Sequence, residues 1–217
     1  MRKIVPMMLC FLVLGSTAFA LDLVIGGGGL FGLTFEEYLY TPPPNNIGLV
    51  QTTHEVKEKA YGGYAFFGLT RYMEASISVF VSNNSVVYKY FDYSSNPLTK
   101  IGEPYPGQQV GISLYGKYPL TRTFTRISFD FYPTLGLDLE STGGSLDLFG
   151  GAGGGIDIFN IFGKPNLFFR VQGLYRIGKL MLYKGWVSEY ETKTTTKVPA
   201  HGPLFKLGLG WMYGGPK

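Results

Sequence analysis

The chain has 217 residues, 45% of them apolar and 16% aromatic, with 31 glycines, one cysteine and 19 basic against 15 acidic side chains. That length suits one domain, and without a run of Lys or Arg there is no stripe for a phosphate backbone, which excludes nucleic acid as a partner. Beyond the first twenty residues no apolar stretch approaches the roughly 20 residues of a membrane helix, so this chain can cross a membrane only as strands.

Residues 1–20 come first and read as a secretory signal. Arg2 and Lys3 supply the positive start, Ile4 to Leu14 a short apolar run interrupted by Pro6, and Ala18-Phe19-Ala20 a small-residue cleavage site. Cleavage is expected between Ala20 and Leu21, leaving 21–217 as the mature domain. Removing Arg2 and Lys3 leaves 17 basic against 15 acidic side chains, a net charge of about +2. The only cysteine, Cys10, is lost with the signal, so no disulfide, thiolate metal site or acylated cysteine is expected.

Eight alternating segments follow. Segment 21–35 sets Leu23, Ile25, Phe31, Leu33 and Phe35 against Asp22, Gly26, Gly28 and Thr34; 61–70 is more apolar and its phase is open. Segment 72–82 sets Ala75, Ile77, Val79 and Val81 against Glu74, Ser76 and Ser78, and 108–118 sets Val110, Ile112 and Leu114 against Gln109, Ser113 and Lys117. In 124–139, Ile127, Phe129, Phe131, Leu135 and Leu137 oppose Arg126, Asp130 and Asp138, with one break at Pro133. Segment 146–158 alternates Leu146, Leu148, Ile156 and Ile158 with Asp147 and Asp157; 167–178 alternates Phe169, Val171, Tyr175 and Ile177 with Arg170, Gln172 and Arg176. The last, 204–213, sets Phe205, Leu207, Leu209, Trp211 and Tyr213 against Lys206.

The connections alternate in length. Residues 36–60, 83–107 and 179–202 are long and tyrosine-rich, 70–72, 119–123 and 159–166 are short, and 140–145 is the odd one out. Long loops at one end and short turns at the other are the habit of a transmembrane barrel with both termini on the turn side. Alternation alone leaves open which face is inside. Charge and size decide it: the polar face gathers Glu74, Asp130, Asp138, Asp147 and Asp157 with Lys117, Arg126, Arg170, Arg176 and Lys206, a balanced set that can pair inside a narrow lumen. Aromatics near the short turns (Tyr72, Tyr118, Phe124, Phe159, Phe162, Phe168, Trp211, Tyr213) are expected at the membrane interface.

With these segments, this loop pattern and the closing strand PLFKLGLGWMY, the chain resembles the small outer-membrane β-barrels of diderm bacteria, the OmpA-like, OmpX-like and OmpW-like superfamily. The resemblance implies an all-β, closed, antiparallel, eight-stranded up-and-down barrel in the cell outer membrane, surrounded by outer-membrane lipid. It also implies recognition by the barrel-assembly machinery through Phe205, Leu207, Leu209, Trp211 and Tyr213. In that family an aromatic usually ends the chain, whereas here Gly214 to Lys217 follow.

A few such barrels modify lipids, and that chemistry needs a nucleophile beside a base. The only candidates, His54 and His201, fall in loop segments without a His-x-Ser arrangement or metal-ligand spacing, so no enzyme, cofactor or metal is expected. Gly27 to Gly32 spells GxGxxG, but no helix follows to present its N-terminus to a phosphate. These glycines, with Gly150 to Gly155, suit a tightly curved sheet or seats for large lumen side chains. Tyr38, Tyr40, Tyr88, Tyr90, Tyr93, Tyr105, Tyr183, Trp186 and Tyr190 crowd the long loops, which suits an external ligand or host surface. The function expected is thus structural, surface-interacting, or the passage of small solutes or hydrophobic molecules. A soluble periplasmic or secreted barrel with an apolar ligand, and an outer-membrane lipid-modifying enzyme, stand as alternatives.

Overall fold

The computed structural model describes residues 23–41, 52–70, 72–91, 97–101, 105–124, 127–142, 145–184 and 193–213. The elements are β1 (Val24–Thr41), β2 (Thr52–Thr70), β3 (Met73–Phe91), β4 (Pro97–Ile101), β5 (Tyr105–Lys117), β6 (Leu120–Phe124), β7 (Ile127–Thr142), β8 (Ser145–Ile161), β9 (Lys164–Lys184) and β10 (Lys193–Met212). β4, β5 and β6 lie end to end: β4 and β5 pair with successive parts of β3, and β5 and β6 with successive parts of β7. They form one stave, interrupted between β5 and β6 at Tyr118-Pro119. The sheet is therefore a closed antiparallel meander of eight staves, sealed where β1 meets β10 and where Tyr213 N donates to Leu23 O at 2.8 Å.

The register fixes the shape. Directly opposed residues lead from Val24 through Gly68, Glu74, Tyr115, Gly136, Gly151 and Arg176 to Gly202. Gly202 lies against Thr34, between the pairs Gly32↔Leu204 and Phe35↔His201. One circuit thus climbs from residue 24 to residue 34. About 33 Å of climb against about 38 Å of strand-to-strand travel gives a tilt of roughly 40°.

Period two sorts the side chains onto two faces. Leu135 is 70% exposed and Val79 61%, with Ile25, Phe31, Ile112, Leu137, Val171, Phe205 and Leu209 also outward, whereas Arg170 and Lys206 are each 1% exposed. On β1 the outward apolar row runs from Ile25 to Phe35, which at roughly 40° of tilt covers about 25 Å of the barrel axis, the height of a hydrocarbon band. This is a membrane-spanning barrel with its apolar face outside.

The staves outrun the sequence expectation. Much of 36–60, 83–107 and 179–202 is strand, and 119–123 lies largely in β6 rather than in a turn. The backbones of Tyr38, Tyr40, Tyr88, Tyr90, Tyr105 and Tyr183 belong to these extended staves, while Tyr93, Trp186 and Tyr190 lie outside the described residues. Above the belt the residues of β2 and β10 are mostly Thr, Glu and Lys on both faces, so there the alternation that marks a strand fades although its ladder continues. At the turn end, Thr70 Oγ1 accepts from the amides of Tyr72 and Met73 at 3.1 Å each, and the β8–β9 turn holds Asn160, Phe162 and Gly163 at positive φ.

The lumen is packed by rings seated on glycines. A Cβ at Gly136 would collide with Leu114 O and the Tyr115 ring, one at Gly155 would meet the Tyr132 hydroxyl at 2.6 Å, and Gly26 and Gly210 lie beneath Phe66 and Phe168. We predict that Gly136→Val costs about 1–3 kcal/mol by overpacking, read as a lower urea midpoint of the lipid-embedded barrel. Outward-facing Gly29, where a Cβ meets only Gly62 O at 3.8 Å, should accept Ala within about 0.5 kcal/mol. Equal costs at the two positions would refute the seating argument.

Candidate functional site

The lumen brings together the charges that the alternation placed on one face. Glu74, Asp130, Asp138, Asp147, Asp157, Arg170, Arg176 and Lys206 are buried, and the Lys117 side chain is 7% exposed. Arg126 lies outside the described residues, as do Ala20 and Leu21 of the cleavage site. Glu140 is a lumen acid that the sequence reading missed, because it ended that strand at Leu139 while β7 runs to Thr142.

Near the turn end, Arg170 on β9 grips its cross-strand neighbour Asp157 with Nε and Nη2, at 2.7 and 2.6 Å, and reaches Glu74 on β3 with Nη1 at 2.5 Å. β3 and β9 are four staves apart in a ring of eight, so this contact crosses the full diameter. Lys117 completes Glu74 from β5, Tyr132 donates to Asp157 at 3.1 Å, and the Arg170 guanidinium lies 4.0 Å from the Phe66 ring centroid. Phe66, Phe159 and Phe168 close the stack, with Phe159 and Phe168 5.1 Å apart. That corrects the expectation for Phe159 and Phe168: their parity turns them into the lumen, and they plug the barrel rather than girdle it. Tyr72, Tyr118, Phe162 and Tyr213 are exposed as expected, Phe162 at 88%.

Toward the other end, Lys206 reaches Ser76 Oγ at 3.3 Å between the Tyr64 and Tyr115 rings, and Tyr115 donates to Asp138. Above it Arg176 joins Glu140 on β7 to Thr34 on β1, the latter at 3.0 Å, and Gln109 bonds Glu58 and Ser82. Between these layers remain spaces of about 20 and 10 Å³, roughly one water each. The lumen as built can hold charge and resist collapse. Among the described residues, the ion pairs and rings cross it from stave to stave.

The two histidines stand on opposite faces of the wall. His54, on β2 above the belt, is inward by parity, and burial lowers its pKa below the ordinary imidazole value. His201 faces outward between Phe35 and Tyr175, ring centroids 6.0 and 6.2 Å away, with Nδ1 2.9 Å from Pro199 O. Among the described residues no group of three His, Cys, Asp or Glu could hold a metal ion. The closing residues Phe205, Leu207, Leu209 and Tyr213 are exposed on the outer face of β10, with Trp211 partly exposed in the same row. A wider groove of about 170 Å³ opens where the apolar belt ends, lined by the outward Phe35, Glu37, Glu55, Lys57, Val198 and His201 together with Glu36 and Val56.

No protein-family model matches the chain, and no curated protein does. Among solved structures it is similar to the crystal structure of the β domain of the Bordetella autotransporter BrkA. That likeness has 12% identity and a TM-score of 0.31, and covers 86% of this chain and 100% of that one.

Removing one partner of a buried pair strands the other charge. Arg170→Met should therefore destabilise the barrel by about 3–5 kcal/mol, and adding Asp157→Asn should recover part of that loss, a coupling readable from urea unfolding in lipid. Strictly additive losses would show that the pair is not coupled.

Proposed function

We propose that the chain is an integral outer-membrane barrel whose role is structural and surface-interacting, with a lumen that acts as a brace rather than a conduit. One observation carries this reading: among the described residues, Arg170 and Arg176 span the interior, rings fill the gaps, and two spaces between the layers are the size of single waters. Steady passage of solutes along the axis would require several buried pairs to part at once. The same parity argues against a soluble barrel with an apolar cavity, since the large exposed apolar side chains lie outside.

The signal-like segment 1–20 and the alternating Phe205, Leu207, Leu209, Trp211 and Tyr213 support the outer membrane as address and the barrel-assembly machinery as a transient partner. Outer-membrane lipid covers the belt, and the staves that rise beyond it are the surface available to an external ligand or host surface. We assign no catalytic role, because His201 and His54 stand on opposite faces of the wall and neither lies in one site with the other.

The decisive experiment pairs heat-modifiability of the membrane-extracted protein with planar-bilayer recording. A faster-migrating unboiled form with no steady single-channel current is the expected result. A persistent current would overturn the brace, and a protein found in the soluble fraction without a mobility shift would overturn the membrane assignment.

A further inference from the structure

The groove at the end of the belt has a charge order along the barrel axis that nothing in the lumen explains. On the outer face of β1 and β2 the cross-strand rows run Phe31↔Tyr61, Leu33↔Lys59, Phe35↔Lys57 and Glu37↔Glu55. Paired residues share a face. The outer surface therefore passes from apolar to cationic to anionic within four rows, and His201 stands beside the Phe35–Lys57 row as the β10 partner of Phe35. Two carboxylates directly opposite each other on adjacent strands repel, so the Glu37–Glu55 row favours a cation beside it. Lys197 already leans in, its amino group 3.6 Å from Glu37 and 3.2 Å from Thr53 Oγ1, with 44% of its side chain exposed. Such an exposed pair is weak and exchangeable.

The wall is shaped here as well. The β1–β10 register shifts twice, between Phe35 and Glu37 and between Glu37 and Tyr38, as β10 inserts extra residues around Pro199. Bulges of this kind re-aim side chains and often mark sites. Below the groove, Phe31, Leu33, Pro203 and Phe205 continue the belt, so an occupant reaches it with an apolar end already in hydrocarbon.

We propose that this groove binds the headgroup of a zwitterionic glycerophospholipid of the ethanolamine class, phosphate against Lys57 and His201 and primary ammonium between Glu37 and Glu55. Acyl chain, phosphate and ammonium are linked in that order in such a lipid, and a headgroup extended up the wall meets the apolar, cationic and anionic rows in the same order. A primary ammonium has three donors for carboxylate oxygens, which a quaternary ammonium lacks, and a purely anionic headgroup would set its charge against the Glu37–Glu55 row. This site rests on the membrane-spanning reading above.

The test uses the protein purified from membranes in detergent, with retained lipid counted by native mass spectrometry after addition of phosphatidylethanolamine, phosphatidylcholine or phosphatidylglycerol of matched chains. Ethanolamine lipid should be held about tenfold more tightly than glycerol lipid, and E37Q/E55Q should erase that preference, as the loss of charge-assisted bonds implies. Lys57→Gln should weaken both lipids. Equal retention of the ethanolamine and glycerol lipids, or an undiminished preference in E37Q/E55Q, would overturn the site. Every variant is first checked for the heat-dependent mobility shift, since a protein that never shifts refutes the membrane-spanning reading instead.

Discussion

Backbone amides inside a bilayer have no water to bond, so a sheet that crosses it must close on itself. Everything else in this molecule follows from how it closes. Eight staves at roughly 40° of tilt give a wall radius of about 8 Å, too narrow for a channel once side chains are added and too wide for small ones to fill. Two long side chains meeting head to head match that diameter, as Arg170 and Glu74 do across opposite staves. Where the wall must come closer to a large ring it carries glycine, and the rings of Phe66, Tyr115, Tyr132 and Phe168 rest there.

Filling a lumen with ions is a poor way to gain stability, because desolvation roughly cancels the attraction. The benefit is register. A slip of one residue along β9 would carry Arg170 and Arg176 from the lumen to the lipid face, at a cost of about 2–4 kcal/mol for a charge at the midplane and less toward the interfaces, and would turn Phe169, Val171 and Ile177 inward. Charges on every other position therefore act as a parity check on the stave. The outward row of β10, where Leu207 and Leu209 alternate with buried Lys206, obeys the same constraint.

Period two made the staves and the facing of the lumen charges legible, because it depends only on neighbours in sequence. Four things depended on more. Glu140 was missed because its stave continues past the apolar face that announces it. Phe159 and Phe168 were placed by proximity to a turn, where strand parity was the better guide. Which ring sits on which glycine, and that Arg170 finds Glu74 ninety-six positions away, follow from the register climb of the closed sheet, which no local pattern encodes. The groove beside His201 was illegible for the same reason: its residues come from β1, β2 and β10.

The rim is where closure relaxes. Among the described residues, β9 and β10 pair up to Ile177 and His201; above that, β9 follows β8 and β10 follows β1, with Gly178 and Gly202 at positive φ where the legs part. Two freed strand edges would ordinarily invite pairing with another chain, and lysine and proline at an edge discourage it. The β9 leg ends on Lys184, and the β10 leg carries Lys193, Lys197 and Pro199. Proline at 199 has no amide to offer and sits where β10 gains its extra residues. The residue that guards the edge thus also lies at the bulge that shapes the outer groove. The wall varies at this rim, and again along β8 and β9, where the register shifts between Leu148 and Gly150.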